Sequence, residues 1–197
     1  MLAKALFLVG ALPIAIHALS LNITALTANS AGVSIFECWT LKTTLETSTQ
    51  PGLIGAASSF LGNVANMTYS TTPVGFNSGI HHAPRNQKVP PPVFHIVGTL
   101  GLIPFSRWVV PIAGMGIATL PGDPGNNLYF SKDMPSGFFF AGDTVDLSKI
   151  GHGTYNPGYN SAIILQIPTL DNKVPEHTVL HAGYCTSKDT SGLAALS

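Results

Sequence analysis

The side chains best suited to chemistry in this chain are imidazoles. Seven histidines are present, and three stand in suggestive company: the His81-His82 pair in "GFNSGIHHAPRNQ", and His152, which closes "GDTVDLSKIGH". Neutral imidazoles hold transition metals or donate and accept protons near neutrality. Equally, they hydrogen-bond inside a metal-free cavity. On a strand, His81 and His82 would face opposite sides. His95, His177 and His181 read as surface or strand-end residues; the last two are four apart, too far along one strand for a single metal without bending. Asp143 and Asp146 are either a carboxylate pair or the polar residues of a turn. Glu37, Glu46 and Glu176 are too scattered for the two-carboxylate site of a glycosidase. Trp39, Trp108, Phe138–Phe140, Tyr155 and Tyr159 could line a ligand cavity, or form ordinary core. The chain has no GxSxG, P-loop, CxxC or EF-hand string, so none of those chemistries is expected.

The elements that must position these residues read as strands. A chain of 197 residues suits one domain with a substantial core. Nine basic residues balance nine acidic ones, which leaves no basic footprint for nucleic acid and no polybasic patch for a membrane surface. Gly, Pro, Thr, Ser and Asn supply the polarity instead, a strand-and-turn composition. Expected strands are Val33–Leu45, Val64–Ser70, Val74–Ile80, Trp108–Leu120, Leu128–Ser131, Gly137–Ala141, Ser161–Ile167 and Glu176–His181. Pro51-Gly52 and Pro121–Gly125 mark turns. Leu53–Leu61 is the one short-helix candidate. Leu21–Ala31 reads as a loosely held arm, and the chain beyond Cys185 as a frayed tail. Many short strands with little helical period indicate an all-β barrel or sandwich.

Residues 1–20 have the layout of a secretory signal peptide: basic Met1–Lys4, apolar Ala5–Ile16, then small Ala18-Leu19-Ser20. The apolar run is shorter than the roughly 20 residues that span a bilayer, so no membrane association is expected after cleavage. Asn22-Ile-Thr24 and Asn66-Met-Thr68 are N-glycosylation sequons. Cys38 and Cys185 are the only cysteines; in an oxidising compartment a disulfide closing nearly the whole domain is the natural expectation, and two buried thiols the other.

Between Gly75 and Gly114 the sequence resembles the first cupin motif, in which Gly, five residues, His, one residue, His, three or four residues, Glu, six residues and Gly follow in order. Gly75 and His81 match; Ala83 stands at the second His and Gln87 at the Glu. The count to Gly114 closes when Lys88–Arg107 is set aside as an insertion, either a loop over a barrel mouth or a gene-model artefact. Pro135-Ser-Gly137 resembles the turn of the second motif, with Phe140 at its ligand position. "HHAPRNQ" with "WVV", "LQIPT" and "VPEHTVLHAGYC" resemble a fungal branch of small secreted cupin-like proteins. The resemblance implies an all-β, single jelly-roll barrel over residues 21–187, with a short N-terminal helix at most and a flexible tail at 188–197. It implies a small-molecule ligand among His81, Gln87, Trp108, Phe140 and His152, and no complete metal site. The alternatives are a metal-dependent oxygenase, isomerase or decarboxylase with a divalent transition metal on His81, Gln87 and His152, and a cell-wall or extracellular structural protein.

Overall fold

Alternation of apolar and polar residues sets which side of each strand meets a core. The structure is a computed structural model that describes residues 20–83, 106–134 and 137–194. Residues 1–19, on which the expected signal peptide falls, and residues 84–105, which hold Gln87, His95 and most of the Lys88–Arg107 insertion, lie outside the described residues, as do Pro135 and Ser136. In chain order the strands are β1 (Ser20–Ala28), β2 (Ser34–Thr44), β3 (Glu46–Thr47), β4 (Ala57–Ser58), β5 (Thr68–Thr72), β6 (Asn77–His81) and β7 (Arg107–Ala113). There follow β8 (Met115–Leu120), β9 (Asp123–Ser131), β10 (Phe139–Ala141), β11 (His152–Tyr155), β12 (Ala162–Pro168) and β13 (His177–Ala182), then a helix, α1 (Ser187–Ala194). The fold is all-β, as expected.

Two sheets carry the architecture. One has the order β13-β2-β1-β10-β7-β12-β5, the other β6-β11-β8-β9; β3 and β4 form a separate small hairpin. Neighbours are antiparallel except β1 and β10, which run parallel. The sheets share a core of Leu26, Phe36, Val109, Phe139 and Ile164 from the larger and Ala118, Leu120, Leu128 and Phe130 from the smaller. The larger sheet is also buried on its other face, around Ile23, Ala25, Trp39, Leu41, Trp108 and Phe140. In β12, Ala162 and Ile164 are buried on one face while Ile163, Leu165 and Ile167 are half-buried on the other, and a strand at least partly covered on both sides needs little polar alternation, which accounts for "AIILQI". Burying side chains of this size contributes about 1.5–3 kcal/mol each.

Three local expectations are corrected. Leu21–Ala31 is no loose arm: β1 pairs with both β2 and β10, and Ile23, Thr24, Ala25 and Leu26 are all buried. Its small polar residues hide an alternation of Leu21, Ile23 and Ala25. Leu53–Leu61 is not helical. Gly55 there has φ +86°, a conformation that breaks a helix, and the segment turns back so that β4 pairs with β3. The tail at 188–197 is helical through Ala194. Thr186 begins that helix: its carbonyl accepts from the Asp189 N–H at 3.0 Å, while its own N–H and hydroxyl donate to Asp189 Oδ2 at 2.6 and 2.7 Å. Thr-Ser-Lys-Asp thus forms one half of a capping box, the Asp189 carboxylate reaching back to the Thr186 N–H, a signal present in the sequence.

Cys38 on β2 and Cys185 before α1 form a disulfide across 147 residues. The sequons differ in setting. Asn22 lies on central β1, accepts from Thr40 Oγ1 at 2.8 Å and donates to the Asp189 carbonyl at 2.7 Å. Asn66 is exposed. Of the two sequons, Asn66 is therefore the one open to modification: if a glycosylating host adds an N-glycan, Asn66→Gln should abolish its mass in intact-mass spectrometry and Asn22→Gln should leave it unchanged.

Candidate functional site

The last residue of β6 and the first of β11 are paired in register: His81 stands opposite His152. Neighbours across an antiparallel pair point to the same side, and here that side is the space between the two sheets. The ring centroids are 4.4 Å apart. Gly151 makes this approach possible. Its φ is +83°, and a Cβ on it would lie 2.2 Å from the His81 carbonyl oxygen. Gly151→Ala combines a disfavoured φ with a backbone clash and should cost about 1–3 kcal/mol, read as a lowered urea midpoint.

Each imidazole is held by its Nδ1. His152, 5 % exposed, donates from Nδ1 to Asp143 Oδ2 at 2.8 Å. Asp143 is wholly buried, and the same oxygen accepts from Ser34 Oγ at 2.9 Å. Ser148 Oγ lies 2.7 Å from Ser34 Oγ and accepts the Gly151 N–H at 2.8 Å. The string "GDTVDLSKIGH" is therefore a loop that delivers Asp143 and His152 to each other. Asp146 is exposed, so the two aspartates form no carboxylate pair. His81 Nδ1 faces the Gly79 carbonyl at 3.2 Å and Ser78 Oγ at 3.0 Å. The carboxylate accepts only, so the neutral His152 ring carries its proton on Nδ1; the Ser78 hydroxyl donates to the Gly79 carbonyl at 2.7 Å, so at His81 too Nδ1 is the donor, and each Nε2 is left as the lone-pair nitrogen when neutral.

Around the pair lies a cavity of about 50 Å³, lined also by Arg107 of β7, Gln166 of β12 and Thr154 of β11. Arg107 is 6 % exposed and donates from Nη1 to Gln166 Oε1 at 2.8 Å; burial pushes its guanidinium down to about 10. Phe130, Phe139 and Ile164 supply apolar wall. His81 is held below its ordinary 6.5, first by burial and next by the neighbouring His152. The folded chain thus disfavours a proton there. That contribution to stability is present above pH 6.5 and is lost as pH falls below it. Urea midpoints taken from pH 8 to pH 5 should drop on the acid side, and His81→Gln should remove part of that drop.

Two of the expected site residues, His81 and His152, are brought together. Trp108 and Phe140 are not. They pair with each other across β7 and β10 and meet edge to face at 5.1 Å in the core on the outer side of the large sheet. Their neighbours Val109 and Phe139 face the cavity instead, because adjacent residues of a strand point to opposite faces. Arg107, Asp143 as the partner of His152, and Gln166 were missed. Their signal was a charged or amide residue at the inward register of an otherwise apolar strand, and an Asp before a buried turn.

As a metal centre the described residues fit poorly. Two Nε2 atoms are presented, with a carboxylate behind one imidazole as metal sites often have. However, a guanidinium shares the cavity, and like charge disfavours a dication there. Elsewhere Cys38, His181 and Asp189 bring ligand atoms within 4.8 Å of one another, but the sulfur of Cys38 is bound in the disulfide and is no thiolate. What remains is a His181–Asp189 pair at 3.2 Å. A larger groove of about 370 Å³ lies between Leu41–Thr43, Phe60–Asn63, Thr169-Leu170 and Lys173–Glu176; among the described residues, no hydrogen bond or ion pair joins the side chains of its Lys42, Lys173 and Glu176. No described helix is long and apolar enough to cross a membrane.

Fold and site define an all-β, disulfide-closed protein with a histidine-lined cavity between two sheets. No known protein family, curated protein or solved structure matches the chain.

Proposed function

We propose that this is a secreted, cupin-like small-ligand-binding protein whose ligand sits between the sheets at His81 and His152, without a complete metal site. The observation that carries the reading is convergence. Two imidazoles, a guanidinium and an amide from four different strands line one cavity, and buried polar groups so placed usually serve a ligand. The cupin likeness rests on the Gly75–His81 spacing and the closing strings. Secretion is supported by the N-terminal residues and the formed disulfide, and an exposed Asn66 suits a secreted glycoprotein. The balanced charge favours neither nucleic acid nor a membrane as partner. The test is binding detected at the two imidazoles by ¹⁵N-histidine NMR. Ligands that shift both, and lose their effect in His152→Phe, support the reading; a cavity silent to every small molecule tried contradicts it.

One observation favours a second reading, a metal-dependent enzyme: both Nδ1 atoms are occupied, so both Nε2 atoms stand ready as donors. With a divalent transition metal bound there, the metal would supply Lewis acidity. Asp143 would hold the His152 ring in place, and Phe130 and Phe139 would exclude water. Elemental analysis separates the two readings, since a stoichiometric metal lost in His81→Ala belongs only to the enzyme.

A further inference from the structure

We infer that the cavity between the sheets takes a small uncharged hydroxyl compound, an alcohol or vicinal diol of ethylene glycol size, that donates its O–H groups to His81 and His152; this rests on reading that cavity as a binding site. Both rings line it, and both Nδ1 atoms are already engaged, one at the Gly79 carbonyl and the other at Asp143. What each ring offers the cavity is therefore the lone pair of Nε2, an acceptor. Neither of these nitrogens is sealed off without a partner, as the Nε2 of His82 is, so a ligand can reach both. Burial and the neighbouring His152 hold His81 below its ordinary 6.5, which keeps its lone pair uncovered at neutral pH.

Charge and hydrogen-bonding capacity decide the class. An anion would face two lone pairs. A cation would find no counter-charge: no Asp or Glu lines the cavity, and Asp143 is engaged by His152 Nδ1 and Ser34. A buried charge without a partner is costly. A neutral O–H group satisfies an imidazole acceptor and avoids both penalties. Its oxygen can accept in turn. Gln166 Oε1 is occupied by Arg107 Nη1 at 2.8 Å, so the Gln166 amide nitrogen is the donating end, and the Thr154 hydroxyl beside it in the lining can donate or accept. Two acceptors on neighbouring strands suit two hydroxyls on adjacent carbons. Apolar Phe130, Phe139 and Ile164 give the carbon skeleton a dry wall, and a low local dielectric strengthens the hydrogen bonds. Size selects within the class. About 50 Å³ admits a molecule of a few heavy atoms, whereas drug-sized ligands occupy pockets of about 300 Å³ or more.

The test uses the full disulfide-bonded chain, ¹⁵N-labelled at histidine, in carboxylate-free buffer at pH 7.5 and constant ionic strength. It is titrated separately with ethylene glycol, acetone, sodium acetate, ethylammonium chloride and zinc chloride. Ethylene glycol should shift Nε2 of both His81 and His152. Acetone, with as many heavy atoms but no donor, leaves both acceptors unpaired and should bind about tenfold or more weakly. Acetate and ethylammonium should fall short of the glycol by a similar factor, because each carries a charge into the site. His152→Phe removes one of the two acceptors and should weaken the glycol about tenfold. If that variant fails to fold, glycol against acetone in the unaltered protein decides. Equal response to glycol and acetone, or a glycol response unchanged by His152→Phe, overturns the hydroxyl assignment. A stronger response to acetate, ethylammonium or zinc than to the glycol overturns it while leaving the cavity a binding site; silence toward all five overturns both.

Discussion

Replacing Cys38 and Cys185 together by serine should lower the unfolding free energy by about 5 kcal/mol, from the loop-closure entropy of so long a loop. The bond spans 147 residues, so breaking it releases nearly the whole described chain in the unfolded state. It also ties two things that packing alone holds less firmly. Cys38 sits on β2, opposite His181 of β13, and Cys185 leads into α1. The Cys185 N–H donates to Thr24 Oγ1 of β1 at 3.0 Å, so the disulfide anchors the helix to the sheet. The measurement is urea unfolding of the oxidised protein and the double variant. A much lower midpoint with a steeper slope is expected, because the uncross-linked chain exposes more surface on unfolding. Reduction of the unaltered protein should reproduce the change.

The second large effect is at Asp143. Asp143→Ala removes the acceptor of two buried donors, His152 Nδ1 and Ser34 Oγ. His152 Nδ1 would be left unpaired in a buried site, whereas Ser34 Oγ keeps Ser148 Oγ at 2.7 Å, and the expected loss is about 3 kcal/mol. A simple cavity would cost as much only for a far larger side chain. The double variant with His152→Phe separates the two causes. If the cost comes from stranding the imidazole N–H, the second change recovers part of it, and the coupling energy is about 1–3 kcal/mol. If Asp143 serves only to shape the loop, the two effects add. Asp143→Ala should also change the tautomer balance of His152, which a loop-shaping role would leave alone.

These effects show what the sequence could and could not reveal. The strands with strong apolar content were legible, β12 and β7 above all, because full or partial cover on both faces leaves apolar residues running in succession. The meeting of His81 and His152 was legible too, one at the end of a strand and the other at the start of a strand after a turn. What failed was register. Phe138–Phe140 is a run of three aromatics, and nothing in such a run says which one faces the cavity; a one-residue difference reverses every side chain. Phe139 proved to be the inward one. In β1, Asn22, Thr24 and Thr27 disguised a central strand, since Thr24 is polar yet buried and satisfied by the Cys185 N–H. Arg107 and Gln166 were invisible because they are distant in sequence and meet only through the pairing of β7 with β12. The Thr186–Asp189 cap could have been read, but a Ser/Thr/Gly-rich ending has low helix propensity, and that outweighed it.

The central claim is that His81 and His152 share one cavity, each fixed through Nδ1 with Nε2 turned to a ligand. Long-range ¹H–¹⁵N spectra of the histidine-labelled protein at pH 8 test it most directly. The account predicts that both rings are Nδ1–H tautomers, that Asp143→Ala alters the His152 pattern, and that one ligand moves both Nε2 resonances together. An Nε2–H tautomer for both rings, or two imidazoles that respond independently to every ligand, would contradict it.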